Sequence, residues 1–226
     1  TAQRKIITIE DPVEYRLPRI TQVQVNSKVG LDFARVLRTA LRLDPDILLL
    51  GEIRDRETGE IGLRASLTGH LVLSTLHTND AISSAIRLMD MGLEGYLVAS
   101  SVQAILAQRL ARRLCQNCAT SHKLNANEQA WLHDQAGITL DNHDFRQGAG
   151  CGQCNQTGYQ GRIGIYELLV MDTELAEALR CEDQNAFQRA ARAQDGYQPL
   201  VQNALNYARE GITTVEEVMR LCGWND

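Results

Sequence analysis

A glutamate directly after a short apolar run is the first residue here whose position could do chemistry. The run 44–51 starts Asp-Pro-Asp and holds four consecutive aliphatic residues, which suits a strand buried in a parallel sheet better than a helix. Glu52 would then lie at the carboxyl edge of that sheet, where open α/β sheets bind ligands. A carboxylate there can act near a nucleotide's metal and the attacking water. The alternative is an ordinary turn with a helix-capping acid.

A second acidic cluster follows another apolar run. Lys5–Ile9 predicts a buried strand, and Glu10, Asp11 and Glu14 come at or just beyond its end. Two acidic strand ends could converge on one metal-bound phosphate. Capping is again the alternative, because Asp before Pro is common at turns and helix starts.

Two histidines flank a third apolar run. His70 precedes it and His77 follows it, with Thr75, Thr78 and Asn79 beside His77. Hydroxyl, amide and imidazole groups just past a strand could sense a terminal phosphate. A lone histidine is more often structural, so the case for His77 depends on the acidic strand ends that would lie beside it.

Four of the six cysteines form two Cys-x-x-Cys pairs, at Cys115/Cys118 and Cys151/Cys154. Such pairs supply the four sulfurs of a structural zinc site. Alternatives are an iron site of the rubredoxin type and two disulfides, and His122 is the one candidate substitute ligand. Cys181 and Cys222 stand apart and are expected to be buried or half-buried apolar residues.

Strands alternating with helices must position these groups, which predicts a parallel sheet with right-handed crossovers. Leu124–Phe145 should form a short helix and loop packed beside the zinc, and Arg162–Asp226 should be mostly helical, with a capping box at Thr214 and Glu217. The remaining predictions are a half-exposed strand over Thr21–Asn26 and helices over Asp32–Arg42, Glu57–Leu67, Asp80–Met91 and Tyr96–Arg113.

Composition limits the function classes. The net charge of −5 and the pI of about 5.6 argue against a general nucleic-acid binder. Hydrophobic residues make up 44% and aromatic residues only 5%, which predicts an aliphatic core. No apolar run approaches the roughly 18 residues of a membrane span, and no secretory signal opens the chain. We therefore expect a cytoplasmic protein.

A Gly-rich phosphate loop is missing from this sequence. That motif, Gly-x-x-x-x-Gly-Lys-Ser/Thr, needs a lysine after a glycine. The chain has three lysines, Lys5, Lys28 and Lys123, and none follows a glycine. Since the sequence starts almost directly on a predicted strand, we interpret it as part of a larger protein. This part alone should hydrolyse ATP poorly or not at all.

Three long motifs follow one another, at 7–15, 41–55 and 68–80. They resemble the Asp box, the Walker B motif and the His box of the secretion ATPase family, the hexameric motors of type II secretion and type IV pilus assembly. The cysteine pairs and Gly158–Leu168 resemble the assembly branch of that family, in which a mannose-sensitive haemagglutinin pilus motor is one member that would fit.

The resemblance implies an α/β fold: a RecA-like P-loop NTPase core without its Walker A motif (1–112), a zinc-binding module (113–160) and a helical carboxyl-terminal domain (161–226). It implies structural Zn²⁺, with ATP and Mg²⁺ in the intact protein. The residue roles it implies are a catalytic base (Glu52), an acidic cluster that orders metal and water (Glu10, Asp11, Glu14), phosphate-coupling histidines (His70, His77), nucleotide contacts (Thr75, Thr78, Arg54) and zinc ligands (Cys115, Cys118, Cys151, Cys154).

The resemblance also implies a homo-oligomeric ring that is held at the cytoplasmic side of the inner membrane by platform and assembly proteins. It implies no nucleic-acid partner. Two other functions stay open. A non-enzymatic, zinc-stabilised assembly module would explain the missing phosphate loop, although the acidic and histidine motifs oppose it. A nucleic-acid translocase would use the same core, although the acidic charge and the cysteine module oppose it.

Overall fold

A computed structural model describes residues 3–136 and 144–223 of the chain. It divides into two compact units that interleave along the sequence, Thr1–Ile105 with Leu169–Gln194 and Leu106–Leu168 with Asp195–Asp226. The division into three consecutive domains stays a prediction. Among the described residues, no helix is both long and apolar enough to cross a membrane.

The first unit is built on a parallel sheet of four strands in the order β2-β1-β3-β4. The register places Ile9 beside Leu50 and Leu50 beside Ser74, so three strands end level at one edge. This confirms the predicted strands. Their bounds are β1 (Ile6–Glu10), β2 (Thr21–Gln24), β3 (Ile47–Leu50) and β4 (Leu71–Ser74).

Helices follow the strands as the alternating pattern predicts. Three of them begin at an aspartate whose carboxylate accepts an N–H from the helix's first turn, which satisfies a donor that the helix itself cannot pair. These aspartates are Asp32, Asp55 and Asp80. The helices are α1 (Phe33–Ala40), α2 (Arg56–Leu67), α3 (Ala81–Asp90) and α4 (Gly95–Ser101).

The core beneath this sheet is aliphatic, as the composition predicts. Ile7 and Ile9 of β1 and Leu48 and Leu50 of β3 are fully buried, and Leu37 of α1 packs in the same cluster. Alternate residues of each strand contribute to it because successive side chains of a strand point to opposite faces.

The long helix predicted over Tyr96–Arg113 is wrong. Helix α4 ends at Ser101, and a strand, β5 (Ala104–Leu114), follows it. Its residues are good helix formers, but the segment pairs in a two-stranded sheet with a strand some fifty residues later in sequence. Tertiary pairing therefore overrides local propensity.

The segment between the two long strands carries the cysteine pairs. Its strands β6 (Ala119–Ser121) and β7 (Arg146–Gly148) pair antiparallel, and α5 (Ala126–Ala136) lies between them in sequence. The helix agrees with the prediction over Leu124–Phe145, whereas the predicted loop falls largely on 137–143, outside the described residues. The strand β8 (Tyr159–Val170) then pairs with β5.

The carboxyl-terminal region is less uniformly helical than predicted, since β8 runs through its first residues. Cys181 and Cys222 are both exposed, so their predicted burial is wrong; each lies at the end of a helix, beyond its apolar face. The helices are α6 (Thr173–Arg180), α7 (Gln184–Ala193), α8 (Leu200–Arg209) and α9 (Val215–Leu221).

Candidate functional site

The carboxyl edge of the parallel sheet brings the first candidate residues together. Gly51 continues the pairing beyond β3, since its N–H donates to the Ile9 carbonyl oxygen at 2.7 Å. A Cβ atom at Gly51 would lie 3.1 Å from that oxygen and 3.4 Å from the Cα of Glu10. Close approach of two backbones therefore favours glycine here, and it places Glu52 directly at the edge.

Both carboxylate oxygens of Glu52 have a partner. Oε1 accepts a hydrogen bond from Nη2 of Arg54 at 2.5 Å, and Oε2 lies 3.1 Å from Nε2 of His77. The Glu52 side chain is 12% exposed, whereas Arg54 is 58% and His77 87% exposed. A nearly buried carboxylate thus lies between two side chains that reach into solvent.

Arg54 is the main reason that the pKa of Glu52 lies below its ordinary value. Its hydrogen bond stabilises the ionised carboxylate and outweighs burial, which acts in the opposite direction; His77 adds a smaller lowering. Glu52 does not cap α2, because Asp55 accepts the N–H of Thr58 at 2.8 Å. The capping alternative therefore applies to Asp55 and not to Glu52.

Arg54 links the acidic cluster after β1 to Glu52. Nη1 of Arg54 lies 3.8 Å from Oδ2 of Asp11, a distance for ionic attraction but not for a hydrogen bond. Asp11 leads into a loop rather than a helix, so it is no helix cap. Glu10 is held by Thr8 and, at 3.0 Å, by Gln22, while Glu14 is exposed.

Two glutamines of β2 organise the acidic loop, and the sequence analysis missed them. Gln22 donates to Glu10 and to the Tyr15 carbonyl oxygen at 2.9 Å, and it accepts the N–H of Leu17 at 2.7 Å. Gln24 accepts the N–H of Val13 at 3.3 Å. Amides at alternate positions of a strand beside an acidic strand end are the signal that could have revealed this role.

His70 lies at the opposite edge of the sheet from Glu52. It precedes β4, whereas His77 follows it, and four strand residues span about 13 Å. Its Nδ1 lies 2.9 Å from the Ala65 carbonyl oxygen and 3.2 Å from the Thr68 hydroxyl. These contacts belong to the last turn of α2, so the structure joins His77, but not His70, to Glu52.

The two predicted threonine contacts are both engaged within the protein. Thr75 donates its hydroxyl proton to the Gly51 carbonyl oxygen at 2.5 Å, which ties the end of β4 to the turn that carries Glu52. The Thr78 hydroxyl is bonded to the Ser84 hydroxyl of α3. Thr75 therefore positions the site directly, and Thr78 stabilises the start of the next helix.

The four paired cysteines form a second candidate site, in the other unit. Their Sγ atoms all lie within 4.8 Å of one another, with three separations of 3.7–3.8 Å. A tetrahedral ion with bonds of about 2.3 Å to sulfur sets the sulfurs about 3.8 Å apart, so this donor set fits a metal. All six cysteines lie in the described ranges and each is a free thiol, so no disulfide joins the pairs.

Two backbone N–H groups donate hydrogen bonds to one of these sulfurs. Cys151 and Gly158 donate to Sγ of Cys154 at 3.2 and 3.3 Å. Burial raises the pKa of the Cys154 thiol, but these donors outweigh it and lower the pKa to about 6. Such donors spread the negative charge that metal-bound thiolates carry.

His122 is not a fifth member of the cysteine cluster. Its Nε2 lies 2.9–3.0 Å from the carboxylate oxygens of Glu128. Glu128 also accepts the N–H of Asn125 at 2.8 Å, while its own N–H donates to the Asn125 side chain at 2.9 Å. This reciprocal pair is a capping box at the start of α5, so His122 stabilises a helix end.

A buried ion-pair network lies beside the cysteine site, and sequence reasoning missed it. Glu217 of α9 is fully buried and accepts hydrogen bonds from Arg112 at 2.8–2.9 Å and from Arg220 at 2.6–2.9 Å. The Arg112 guanidinium stacks 4.0 Å from the ring centroid of Tyr159. Thr214 caps α9 as predicted, by accepting the N–H of Glu217, but the Glu217 carboxylate serves the arginines.

These two sites differ in the chemistry that they can do. At the sheet edge, an ionised carboxylate, an imidazole and a guanidinium converge, which suits proton transfer from water next to a bound anion. The cysteine cluster offers four ligands to one ion, which suits a closed structural metal site.

A profile of the family described as Type II/IV secretion system protein matches residues 1–220. The chain belongs to this family. Type II secretion system protein E of Pseudomonas aeruginosa is 47% identical over 218 residues, which are 96% of this chain and 43% of the relative. Type II secretion system ATPase E of Vibrio cholerae is 43% identical over 223 residues, which are 98% and 43%. The chain thus spans less than half the length of these family members.

Two solved structures have a similar fold. The pilus retraction motor PilT, solved with bound ADP, superposes with a TM-score of 0.67 at 28% identity, covering 96% of this chain and 52% of that one. The ATPase DotB of Legionella pneumophila superposes with a TM-score of 0.66 at 22% identity, covering 97% and 51%. The parallel sheet of this family member is therefore that of the RecA-like ATPase fold, as the sequence analysis expected.

Proposed function

We propose that this chain is part of a motor ATPase in which Glu52 acts as the general base for ATP hydrolysis. The observation that carries the proposal is the position of Glu52, nearly buried at the level sheet edge with His77 and Arg54 on its two oxygens. A positioned carboxylate can accept a proton from the water that attacks the terminal phosphate.

The other residues at this edge have supporting roles in the proposal. Bound Mg²⁺ would neutralise charge on the phosphates. Asp11, with Glu10 and Glu14 near it in sequence, would order the metal and its water. His77 contacts Glu52 and reports the state of the terminal phosphate to the rest of the subunit, and Thr75 holds the turn that carries Glu52. The contacts of His70 favour a structural role for it.

The proposed metal at the four cysteines is a structural Zn²⁺. The sulfur separations suit it, and the donor set leaves no open position for catalysis. Iron would fit sulfurs at a similar spacing, so the identity of the metal is decided by elemental analysis of the purified protein.

The cellular role follows from the family. We propose that the intact protein forms a hexameric ring at the cytoplasmic face of the inner membrane and couples ATP hydrolysis to type II secretion or type IV pilus assembly. Its partners would be platform and assembly proteins rather than nucleic acid. The relatives named above carry secretion names, so a pilus role, including a mannose-sensitive haemagglutinin pilus, rests on the resemblance of the motifs alone.

The test is Glu52→Gln in the intact protein, which keeps the side chain's shape and removes its charge. ATP with Mg²⁺ should still bind, while turnover should fall by about 10²-fold or more, the usual contribution of a positioned base. Glu60→Gln is the matched control, because Glu60 also pairs with an exposed arginine, Arg64, which lies about one helical turn away with an N–O distance of 2.8 Å. Wild-type turnover in Glu52→Gln would remove Glu52 from the mechanism, and no ATPase activity in the intact wild type would favour the non-enzymatic alternative.

A further inference from the structure

Arg54 holds the proposed base in a form unsuited to catalysis. Its hydrogen bond to Glu52 is the largest cause of the lowered pKa of that carboxyl group. General bases work best when their pKa lies near the operating pH, so a carboxylate paired with a guanidinium is a weak proton acceptor. The contact seen here would have to loosen before Glu52 could take a proton efficiently.

The geometry allows Arg54 to leave. Its side chain is 58% exposed, so solvent and neighbouring space are open to it. Its second partner, Asp11, lies 3.8 Å away, which is too far for a hydrogen bond. Exposed ion pairs of this kind hold their partners only weakly.

A terminal phosphate is a stronger partner for Arg54 than Glu52 is. It carries more negative charge than one carboxylate, and its oxygens match the planar fork of a guanidinium. Arg54 follows Glu52 by two residues at the same sheet edge, so a phosphate placed for attack near Glu52 would lie within reach of the arginine.

We propose that Arg54 alternates between Glu52 and the terminal phosphate of ATP, so that binding of the triphosphate frees the Glu52 carboxylate for the attacking water. This inference rests on the proposed role of Glu52 as the base. It makes Arg54 a positioning residue whose partner depends on the nucleotide, and His77 keeps the other oxygen of Glu52 oriented during the exchange.

A double-mutant cycle in the intact protein tests the proposal by binding rather than turnover. The four proteins are wild type, Glu52→Gln, Arg54→Gln and the double variant. The probes are Mg²⁺ with the non-hydrolysed analogue adenylyl imidodiphosphate, and Mg²⁺ with ADP, each titrated by calorimetry. Arg54→Lys keeps the charge and removes the fork, and it provides a second variant if Arg54→Gln is poorly folded.

Since Glu52 and the phosphate compete for Arg54, Glu52→Gln should tighten the triphosphate analogue by about 3- to 10-fold when Arg54 is present. The same substitution should change its affinity by less than about 2-fold in the Arg54→Gln background. Arg54→Lys should show an intermediate coupling, and ADP, which lacks the terminal phosphate, should show none.

The Arg64–Glu60 pair is the matched control, because Arg64 has a similar exposure, 56%, and a similar carboxylate contact at 2.8 Å. Its cycle should show no coupling to either nucleotide. An equal effect of Glu52→Gln with and without Arg54 would overturn the alternation. If turnover of Glu52→Gln still falls by about 10²-fold in that case, the proposed function stands and this inference alone fails.

Discussion

Replacing Glu217 with glutamine should loosen the carboxyl-terminal helix α9. This carboxylate is fully buried, and it receives hydrogen bonds from two arginines, Arg112 of β5 and Arg220 of its own helix. Glutamine keeps the side chain's volume but removes the negative charge. Two guanidinium groups would then face a neutral amide, and the contact between α9 and β5 would lose its ionic part.

The size of the effect follows from the pKa of Glu217. Burial raises that pKa, but the hydrogen bonds from Arg220 and Arg112 outweigh it and lower the pKa from an ordinary 4.5 to about 2. That difference corresponds to on the order of 3 kcal/mol of stability. Because the folded-state pKa is the lower one, this stability is fully present above about pH 4.5 and is lost as the pH falls towards 2.

Hydrogen exchange at neutral pH, followed by mass spectrometry on the intact protein, measures the loss locally. A decrease of about 3 kcal/mol in opening free energy should speed exchange in the peptide that covers Val215–Leu221 by about 10²-fold. Glu216→Gln is the control, since Glu216 is the exposed neighbour on the same helix and makes the same change in charge.

The reasoning would be refuted if Glu217→Gln exchanged at nearly the wild-type rate, or if Glu216→Gln accelerated exchange equally. The first result would mean that the arginines are satisfied by water once the charge is gone. The second would mean that the effect comes from the net charge of the helix start and not from the buried pair.

Three further predictions concern the metal, the site and the packing. Cys151→Ser should reduce bound zinc from about one equivalent per chain to near none and destabilise its unit, whereas Cys181→Ser, at an exposed cysteine, should keep the metal. Elemental analysis measures the zinc content, and full retention of zinc in Cys151→Ser would contradict the site. His77→Ala should abolish transport with a loss of ATP turnover smaller than that of Glu52→Gln, which paired transport and ATPase assays compare; equal losses would make His77 part of the chemical step. Gly95→Ala should lower the melting temperature, because a Cβ atom there would lie 2.0 Å from the Leu179 carbonyl oxygen and push α4 away from α6. The expected loss of stability is about 1–3 kcal/mol or more, and an unchanged melting temperature would contradict this packing.

The strands of the sheet and the site at their ends were predictable because both depend on local features. Short aliphatic runs bounded by polar residues or glycine predict buried strands, and parallel strands must end at a common edge. Glu52 could be placed at that edge from its position after the run alone. The hydrogen-bond partners of Glu52 could not be predicted from the sequence, because an acidic residue in a turn can equally cap the next helix. Only the contacts in the structure show that Asp55 is the cap.

The strand β5 shows where local reasoning failed. Its alanines, leucines, glutamine and arginines favour a helix, and nothing nearby contradicts that preference. The segment is a strand because β8 pairs with it, and that partner begins 45 residues after β5 ends. Burial alternates along β8, at Ile165, Glu167 and Leu169. The sequence hides this period of two, because the buried Glu167 is charged while its exposed neighbours Tyr166 and Leu168 are apolar.

By itself, the sequence determined the strand runs, the cap of α9 at Thr214 and the spacing within each cysteine pair, because residues a few positions apart are constrained by the geometry of one element. Only the tertiary structure decided which distant groups meet: sulfurs 36 residues apart in one cluster, Glu52 with His77 across 25 residues, and Arg112 with Glu217 across 105. These contacts depend on the path of the whole chain. The residue pattern of a single helix or strand carries no information about that path. The separation of His70 from His77, by contrast, is local, since the single strand β4 places one histidine at each edge of the sheet.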